Sequence, residues 1–359
     1  MDIPIELIAN ICDFDTKLVY NFKMTNKYNN NNLIKYIRHL KFTNYDDRNF
    51  VNNIDQDKII QISNINSLVI NYESNLTDNY LIQLTKLEYL GLCQNTIITN
   101  NLFNFLPCLK RLHICGNNTL TDDTLRYIGQ YNIIEVIELP DNTLITDNGL
   151  QFISKSIKSL NLAFNNNITD NGLKYFSMVN SNLTNLFLTH NTQITDKGLK
   201  YLSSCNIIDL DLNMNENITD EGLKYLLSVK YLTLNCASFI TDEGLKYLIN
   251  IENLSLKNNT TITDLGLKYI SKTIKLLDLY INPLITDNGL KYLLNSNIET
   301  LYMDYNTKIT NKGLRYIRNI KSLILISNTN ITRNCLLFLT KLEKIHTKTF
   351  EFKIKETSY

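Results

Sequence analysis

The 359-residue sequence contains no tryptophan, only four prolines and eleven glycines, and no apolar run close to the ~20 residues that a membrane-spanning helix needs. Its amino terminus, MDIPIELIANICDF, has acids at Asp2 and Glu6 and lacks the basic start and long apolar core of a secretory signal. We therefore expect an intracellular protein, cytoplasmic or nuclear, without a membrane partner.

Metal and cofactor motifs are also missing. The seven cysteines are odd in number and form no C-x-x-C pair, which argues against a disulfide framework or a zinc site. None of the four histidines lies three to five residues from another histidine, and no glycine-rich phosphate loop occurs. His113 and Cys115 share the outer face of one predicted strand, but no third group that would organise a nucleophile and its base is evident. We expect no metal, no cofactor and no enzymatic activity.

Charge of one sign is not in excess either. Thirty-six basic and thirty-five acidic residues leave a formal net charge of +1, so no strong field attracts nucleic acid or a membrane surface. The 44% hydrophobic and 20% charged residues are typical of a folded protein. Any partner must be recognised locally.

What the sequence does contain is a repeated phrase, ITDNGLKYF at residues 168–176 and close copies of it. The copies follow one another at intervals of 22 to 26 residues. They begin at Leu76, Ile98, Leu120, Ile145, Ile168, Ile194, Ile218, Ile240, Ile262, Ile285, Ile309 and Ile331.

A second phrase, L-x-x-L-x-L-x-x-N, precedes most copies; LTNLFLTHN at residues 183–191 is an example. Its alternating centre predicts a short strand with its two central apolar residues inward and their neighbours outward. The Thr-Asp pair of the first phrase predicts a helix start, where oxygen caps the free amides and an acid lies near the positive end of the helix dipole. The two leucines of that phrase, such as Leu199 and Leu202, fall on one helix face.

Glycine and asparagine recur at fixed places in these phrases. Eight glycines occupy one position, where the missing side chain would let the helix start lie close to a neighbouring backbone. They are Gly149, Gly172, Gly198, Gly222, Gly244, Gly266, Gly289 and Gly313. The asparagines that end the strand phrases are expected to hydrogen-bond buried backbone from repeat to repeat. They are Asn95, Asn117, Asn142, Asn165, Asn191, Asn215, Asn259, Asn282, Asn306 and Asn328.

The combined pattern resembles the cysteine-containing class of leucine-rich repeats over about residues 60 to 345. The resemblance implies an α/β leucine-rich-repeat solenoid at residues 33–345, with a curved parallel sheet on the concave side, short helices on the convex side and twelve or thirteen repeats. The phrases at Ile98 and Ile331 lack both acid and glycine, which weakens the prediction for those repeats. Residues 346–359 are expected to form a carboxyl-terminal cap or tail, and the protein is expected to be a monomer.

Residues 1–32 do not follow the repeat. Pro4, Glu6, Leu7, Ile11 and Lys27 match parts of the F-box motif, so the segment resembles a short F-box with a shortened middle and without the tryptophan common near the family's end. The resemblance implies binding to the adaptor of a cullin-based ubiquitin ligase, with contacts from Ile3, Pro4, Leu7, Ile8 and Ile11. The alternative is a helical cap that only shields the first repeat.

The predicted concave face presents acids and aromatic residues with a single lysine, a composition suited to a protein segment rich in Lys or Arg. The candidate partner-binding residues are Phe187, Asp209, Asp211, Tyr231, Asp278, Tyr280, Tyr302, Asp304 and Tyr305. Polar residues that merely keep a sheet face soluble are the alternative. On the helices, a ladder of Lys-Tyr pairs such as Lys224-Tyr225 could meet an anionic surface, but nearby acids favour an ordinary solvated face.

These features predict non-enzymatic protein recognition. By resemblance, the protein is expected to be the substrate receptor of a cullin-based ubiquitin ligase, acting by proximity. The alternative is a stand-alone binding scaffold or an inhibitor without a role in ubiquitin ligation.

Overall fold

A computed structural model describes residues 38–42, 63–70, 74–179 and 182–347. They fall into two compact units. The first unit runs to Ile168 and includes Tyr175–Leu183, whereas the second contains Thr169–Lys174 and the chain from Thr184 onward. No helix within the described residues has both the length and the apolar character needed to cross a bilayer.

Short parallel strands, one in each repeat, form the sheet of each unit and pair with their neighbours in chain order. The first unit contains β1 (His39–Phe42), β2 (Ser67–Ile70), β3 (Tyr89–Cys93), β4 (Arg111–Cys115), β5 (Val136–Glu138) and β6 (Ser159–Asn161). The second contains β7 (Asn185–Phe187), β8 (Asp209–Asp211), β9 (Tyr231–Thr233), β10 (Asn253–Ser255), β11 (Leu276–Asp278), β12 (Thr300–Tyr302), β13 (Ser322–Ile324) and β14 (Lys344–His346).

Helices follow the strands, and nearly all of them begin directly after the threonine of the repeated phrase. The α-helices are α1 (Asp78–Leu81), α2 (Asp122–Gly129), α3 (Asp147–Leu150), α4 (Asp170–Val179), α5 (Asp196–Leu202), α6 (Asp220–Leu223), α7 (Asp242–Leu245), α8 (Asp264–Ile270), α9 (Asp287–Lys291) and α10 (Asn311–Leu314). The phrases at Ile98 and Ile331 instead form 3₁₀ helices, Asn100–Phe105 and Arg333–Leu337, and a third 3₁₀ turn at Arg315–Ile317 extends α10.

Apolar residues of strand and helix meet in one core within each repeat, as predicted. Leu186 of β7 is fully buried between outward-facing neighbours, and Leu199 and Leu202 of α5 are 0% and 3% exposed. Burying a leucine side chain stabilises a fold by roughly 1.5–3 kcal/mol. A single repeat has too little of this surface to be stable, so the repeats depend on their neighbours.

Buried asparagines link successive repeats, which confirms their predicted role. The Asn282 side chain donates to the carbonyl of Leu256 at 2.8 Å, and Asn306 donates to that of Leu279 at 2.7 Å. Both asparagines are fully buried. Because each carbonyl lies one repeat earlier, these bonds satisfy backbone groups that stacking removes from water.

The prediction for the repeated glycines was wrong in one respect. The atom close to Gly222 is not backbone but the carboxylate of the preceding repeat: a Cβ at Gly222 would lie 2.3 Å from Oδ1 of Asp196. That carboxylate accepts hydrogen bonds from the Thr219 amide at 2.8 Å and the Thr219 hydroxyl at 2.6 Å. Thr219 also caps its own helix by accepting from the amide of Glu221 at 3.3 Å. Asp196 therefore links two repeats and also lies in the first turn of its own helix.

The array boundaries at residues 33 and 345 stay predictions, although strands near both of them are described. Among the described residues, β1 is the first strand and ends at Phe42, and β14 is the last. β14 continues to His346, one residue beyond the predicted boundary at 345. The predicted segment 1–32 lies outside the described residues, as does most of 346–359.

Candidate binding surface on the strands of the second unit

All nine predicted partner-binding residues belong to the second unit, on or just after strands β7, β8, β9, β11 and β12. The parallel register places outward residues of successive strands in rows, with neighbouring strands ~4.8 Å apart. One row contains Asn185, Asp209, Tyr231, Asn253, Leu276, Thr300 and Ser322. The other contains Phe187, Asp211, Thr233, Ser255, Asp278, Tyr302 and Ile324.

Four of the predicted residues lie together on β7, β8 and β9, and we call Phe187, Asp209, Asp211 and Tyr231 the acidic patch. Phe187 is the register partner of Asp211, and Tyr231 is that of Asp209. Tyr231 is 38% exposed, and the other three are half-buried. Two carboxylates thus lie between two aromatic side chains.

The electrostatics of the acidic patch favour an incoming cation. Burial raises the pKa of Asp209, and the nearby charge of Asp211 raises it further, whereas a weak bond from Asn185 at 3.5 Å lowers it. Asp211 accepts from the amide of Asn213 at 2.8 Å. None of the ion pairs found between described residues includes either acid. A Lys or Arg from a partner would relieve the repulsion between them.

Aromatic side chains dominate a second group, the tyrosine patch, formed by Tyr280, Tyr302, Asp304 and Tyr305 on and after β11 and β12. The rings of Tyr280 and Tyr305 meet edge to face, with centroids 5.4 Å apart and planes at 76°. Tyr305 is 50% exposed and has a positive φ of 62°. β10 separates this patch from the acidic patch.

Two predicted acids have internal partners. Asp278 is only 7% exposed, pairs with Lys257 at 3.1 Å and accepts from the amide of Tyr280 at 3.2 Å. Asp304 is 9% exposed and accepts from the amide of Ile326. Their contact with a partner stays a prediction, but the structure gives both acids a role in holding the strand ends.

One set of residues at the strand ends shares an unusual backbone conformation. The residue just before most of the buried asparagines has a positive φ, a conformation that non-glycine residues rarely adopt. In the second unit these residues are His190, Met214, Asn258, Ile281 and Tyr305, and Cys236 has the same conformation before Ala237. Met214 is 43% exposed beside the acidic patch. Only Tyr305 among them is a predicted partner-binding residue, and the constant position before the asparagine was the signal that could have added the others.

The Lys-Tyr ladder on the helices makes internal contacts. Lys224 pairs with Glu221 at 2.5 Å and lies 5.3 Å from the centre of the Tyr247 ring, and Lys246 pairs with Glu243. These contacts within and between repeats favour the solvated-face interpretation over binding of an anionic surface.

Sequence reasoning also failed to find the partners of His113. The structure places its imidazole between Cys93 and Glu138, on the neighbouring strands, so the third group that was not evident in the sequence is present. Within the described ranges, no three His, Cys, Asp or Glu side chains are grouped in a way that could hold a metal ion. The predicted adaptor contacts Ile3, Pro4, Leu7, Ile8 and Ile11 lie outside those ranges.

Comparison with known proteins supports the repeat architecture. A leucine-rich-repeat family model matches residues 154–177, 179–203 and 203–227. A chain in the crystal structure of the yeast Rad7 and Elc1 complex is similar at a TM-score of 0.59 and 15% identity, covering 92% of this chain and 89% of that one. The internalin inlF of Listeria monocytogenes is similar at a TM-score of 0.56 and 24% identity, covering 84% and 90% respectively. No curated protein matches the sequence.

These similarities concern the fold. Together with the parallel strands and buried asparagines, they identify an α/β leucine-rich-repeat solenoid, an architecture typically used as a non-enzymatic scaffold for protein binding.

Proposed function

We propose that this protein is a recognition subunit that binds a Lys- or Arg-bearing protein segment on the strand face of its second unit. The observation that carries the proposal is the acidic patch, where Asp209 and Asp211 lie between Phe187 and Tyr231 without a cation among the described residues. A guanidinium or ammonium group there would gain charge-assisted hydrogen bonds and contact with aromatic rings. The tyrosine patch would supply further apolar anchoring.

We further propose that the recognised protein is a substrate for ubiquitination. In this proposal residues 1–32 form an F-box-like segment that binds the adaptor of a cullin-based ligase through Ile3, Pro4, Leu7, Ile8 and Ile11. The chain itself performs no covalent step and acts by bringing the target close to the ligase. Support comes from the sequence match of that segment, and assignment of the repeats to the cysteine-containing class is part of the same proposal. The Rad7 and Elc1 structure, at 15% identity, supports the fold alone.

Binding of the target is tested with the isosteric double variant Asp209→Asn/Asp211→Asn. It removes both charges and keeps an oxygen that accepts from the Asn213 amide, so the strand end is preserved. We expect affinity for an identified partner to fall at least about tenfold, with the loss smaller at high salt.

Two control variants separate charge at this patch from charge in general. Glu216→Gln removes an exposed acid that lies outside the strand rows and should leave affinity unchanged. Asp278→Asn should lower stability more than affinity, because Lys257 already pairs with that acid. Equal affinity for the double variant and the intact protein would exclude the acidic patch.

The ubiquitin-ligase role is tested by pull-down with the intact chain and with a version lacking residues 1–32. Adaptor binding that is lost on truncation, while other partners are kept, supports a receptor with separate docking and recognition parts. Absence of adaptor binding to both versions at micromolar concentration would leave the alternative, a stand-alone scaffold or an inhibitor.

A further inference from the structure

Three neighbouring strands of the first unit bring together a cysteine, a histidine and a glutamate. Register pairs Cys93 of β3 with Cys115 of β4, and pairs His113 of β4 with Glu138 of β5. The Cys93 sulfur is 3.6 Å from Nε2 of His113, and Nδ1 of the same ring contacts Oε2 of Glu138. The residues are partly exposed, and both cysteines are free thiols. The arrangement is that of a thiol, a base and a group that orients the base.

The local electrostatics assign a role to each group. Hydrogen bonds to Cys93 and Glu138 raise the pKa of His113 to about 9, although burial has the opposite effect. The bond from His113 lowers the pKa of Cys93, whereas burial and the charge of Cys93 raise that of Cys115. The pKa of Glu138 is lowered by its bond to His113. Cys93 is therefore the thiol that ionises first, and Cys115 stays protonated beside it.

We propose that Cys93 is a reactive thiolate held by the His113 imidazolium, and that hydroperoxides oxidise it to a disulfide with Cys115 that joins β3 to β4. The spacing permits the bond, because register partners on neighbouring strands lie ~4.8 Å apart and disulfides join Cα atoms 4.4–6.8 Å apart. The site lies in the first unit and does not depend on the function proposed for the second.

The reaction has two steps. The Cys93 thiolate attacks one peroxide oxygen, the O–O bond breaks, and the leaving oxygen departs as hydroxide or alkoxide and takes a proton from water. Cys93 becomes a sulfenic acid, oxidised by two electrons. The Cys115 thiol then loses its proton and attacks the Cys93 sulfur. The S–OH bond breaks, the hydroxyl leaves as water with that proton, and the disulfide forms.

The thiolate is tested by the pH dependence of iodoacetamide alkylation, followed for each cysteine by peptide mass spectrometry. Exposed Cys108 in the same chain is the internal control. The alkylation rate of Cys93 should reach half its maximum at a lower pH than that of Cys108, which separates ionisation from accessibility. Tyr89, Arg111, Glu138 and Asp141 are the other charged or titratable groups near the two cysteines and His113.

Variants show whether His113 lowers the pH at which Cys93 ionises. His113→Gln should move the Cys93 midpoint to higher pH than in the intact protein, and Glu138→Gln should move it by less, with circular dichroism showing that both variants fold. The proposal that His113 holds Cys93 as a thiolate would be contradicted by either of two results. One is a Cys93 midpoint equal to that of Cys108 in the intact protein, and the other is a Cys93 midpoint that His113→Gln leaves unchanged.

The disulfide is tested by adding hydrogen peroxide to the intact chain. A cross-linked peptide pair containing Cys93 and Cys115 is expected, and Cys115→Ser should instead accumulate a sulfenic acid that dimedone traps at Cys93. Trapping at Cys93 in the intact protein without the cross-link would refute Cys115 as its partner. No trapping at Cys93 in Cys115→Ser would refute the oxidation itself.

Discussion

Gly222 shows how one missing methyl group lets two repeats join. An alanine in a helix normally stabilises a protein relative to glycine, by roughly 0.4–1 kcal/mol where the backbone conformation permits it. At Gly222, however, the added carbon would lie 2.3 Å from Asp196 Oδ1 and 3.0 Å from Cδ1 of Leu199. Asp196 would have to move, and its two bonds to Thr219 would be lost or lengthened.

We therefore predict that Gly222→Ala destabilises the protein by about 2 kcal/mol, since overpacking and lost charge-assisted bonds outweigh the gain in helix propensity. The measurement is urea unfolding of Gly222→Ala, Asp196→Ala and the double variant. In the Asp196→Ala background only the contact with Leu199 remains, so adding Gly222→Ala should cost much less. An equal cost in both backgrounds would mean that the contact with Asp196 is not the reason for the glycine.

On the scale of single elements, alternating charges mark the start of the strands. From β9 onward, the residue after the first apolar position of the strand phrase is basic in one repeat and acidic in the next. In the second unit this gives Lys230, Glu252, Lys275, Glu299 and Lys321. Glu252 lies between two lysines, 3.0 Å from Lys230 and 2.6 Å from Lys275. The amide of Lys275 also donates to the Glu252 carbonyl at 2.7 Å. The backbone pairing of these strands therefore places the opposite charges side by side.

Reversing one charge in this row is predicted to weaken the pairing of β9, β10 and β11. Glu252→Lys would place three lysines side by side, and like charges on neighbouring strands destabilise a sheet. We expect a lower melting temperature than for Glu252→Gln at low salt, and a smaller difference near 1 M salt, where the Debye length is ~3 Å. Glu216→Lys, at an exposed position outside the row, is the matched control. A difference that salt does not change would point to lost packing and not to charge.

On the scale of the whole molecule, the sequence predicts the roles of residues that recur in every repeat. It does not predict side-chain contacts that depend on how the repeats stack. The buried asparagines, the inward leucines and the capping threonines were predictable because each acts within its own phrase or on backbone one repeat earlier. The contact of Asp196 with Gly222 and the group around His113 were not predicted, because they require the side-chain register of two or three repeats. Aligning the strand phrases would have placed His113 beside Glu138.

The positions of the candidate binding residues were predictable to a similar degree. Alternation along the strands correctly separated outward from inward residues, so all nine candidates lie on or just after the strands. Alternation says nothing about contacts between outward residues, and the sequence therefore did not distinguish Asp211 from Asp278, which Lys257 already neutralises. Exposure of Met214 and Tyr305 depends on a backbone conformation that the composition of the phrase does not reveal.

A chain that stacks by nearest-neighbour contacts should also unfold locally. Asn282 tests this, because its side chain donates to Leu256 in the preceding repeat and its amide donates to Asn306 of the following one. Asn282→Ala leaves the buried Leu256 carbonyl without that partner, at a cost of roughly 1–3 kcal/mol. We predict that amide hydrogen exchange becomes faster between residues 256 and 306.

Distance along the array distinguishes local from global unfolding in that experiment. Amides of β7 and β8, several repeats before Asn282, should keep the protection they have in the intact protein, and Asn288→Ala, at an exposed position on α9, should change nothing. Uniform loss of protection from β7 to β14 would instead mean that the second unit unfolds as one cooperative body. The stabilisation that each asparagine provides would then apply to every repeat of the second unit. A binding partner on the acidic patch would stabilise the tyrosine patch as well.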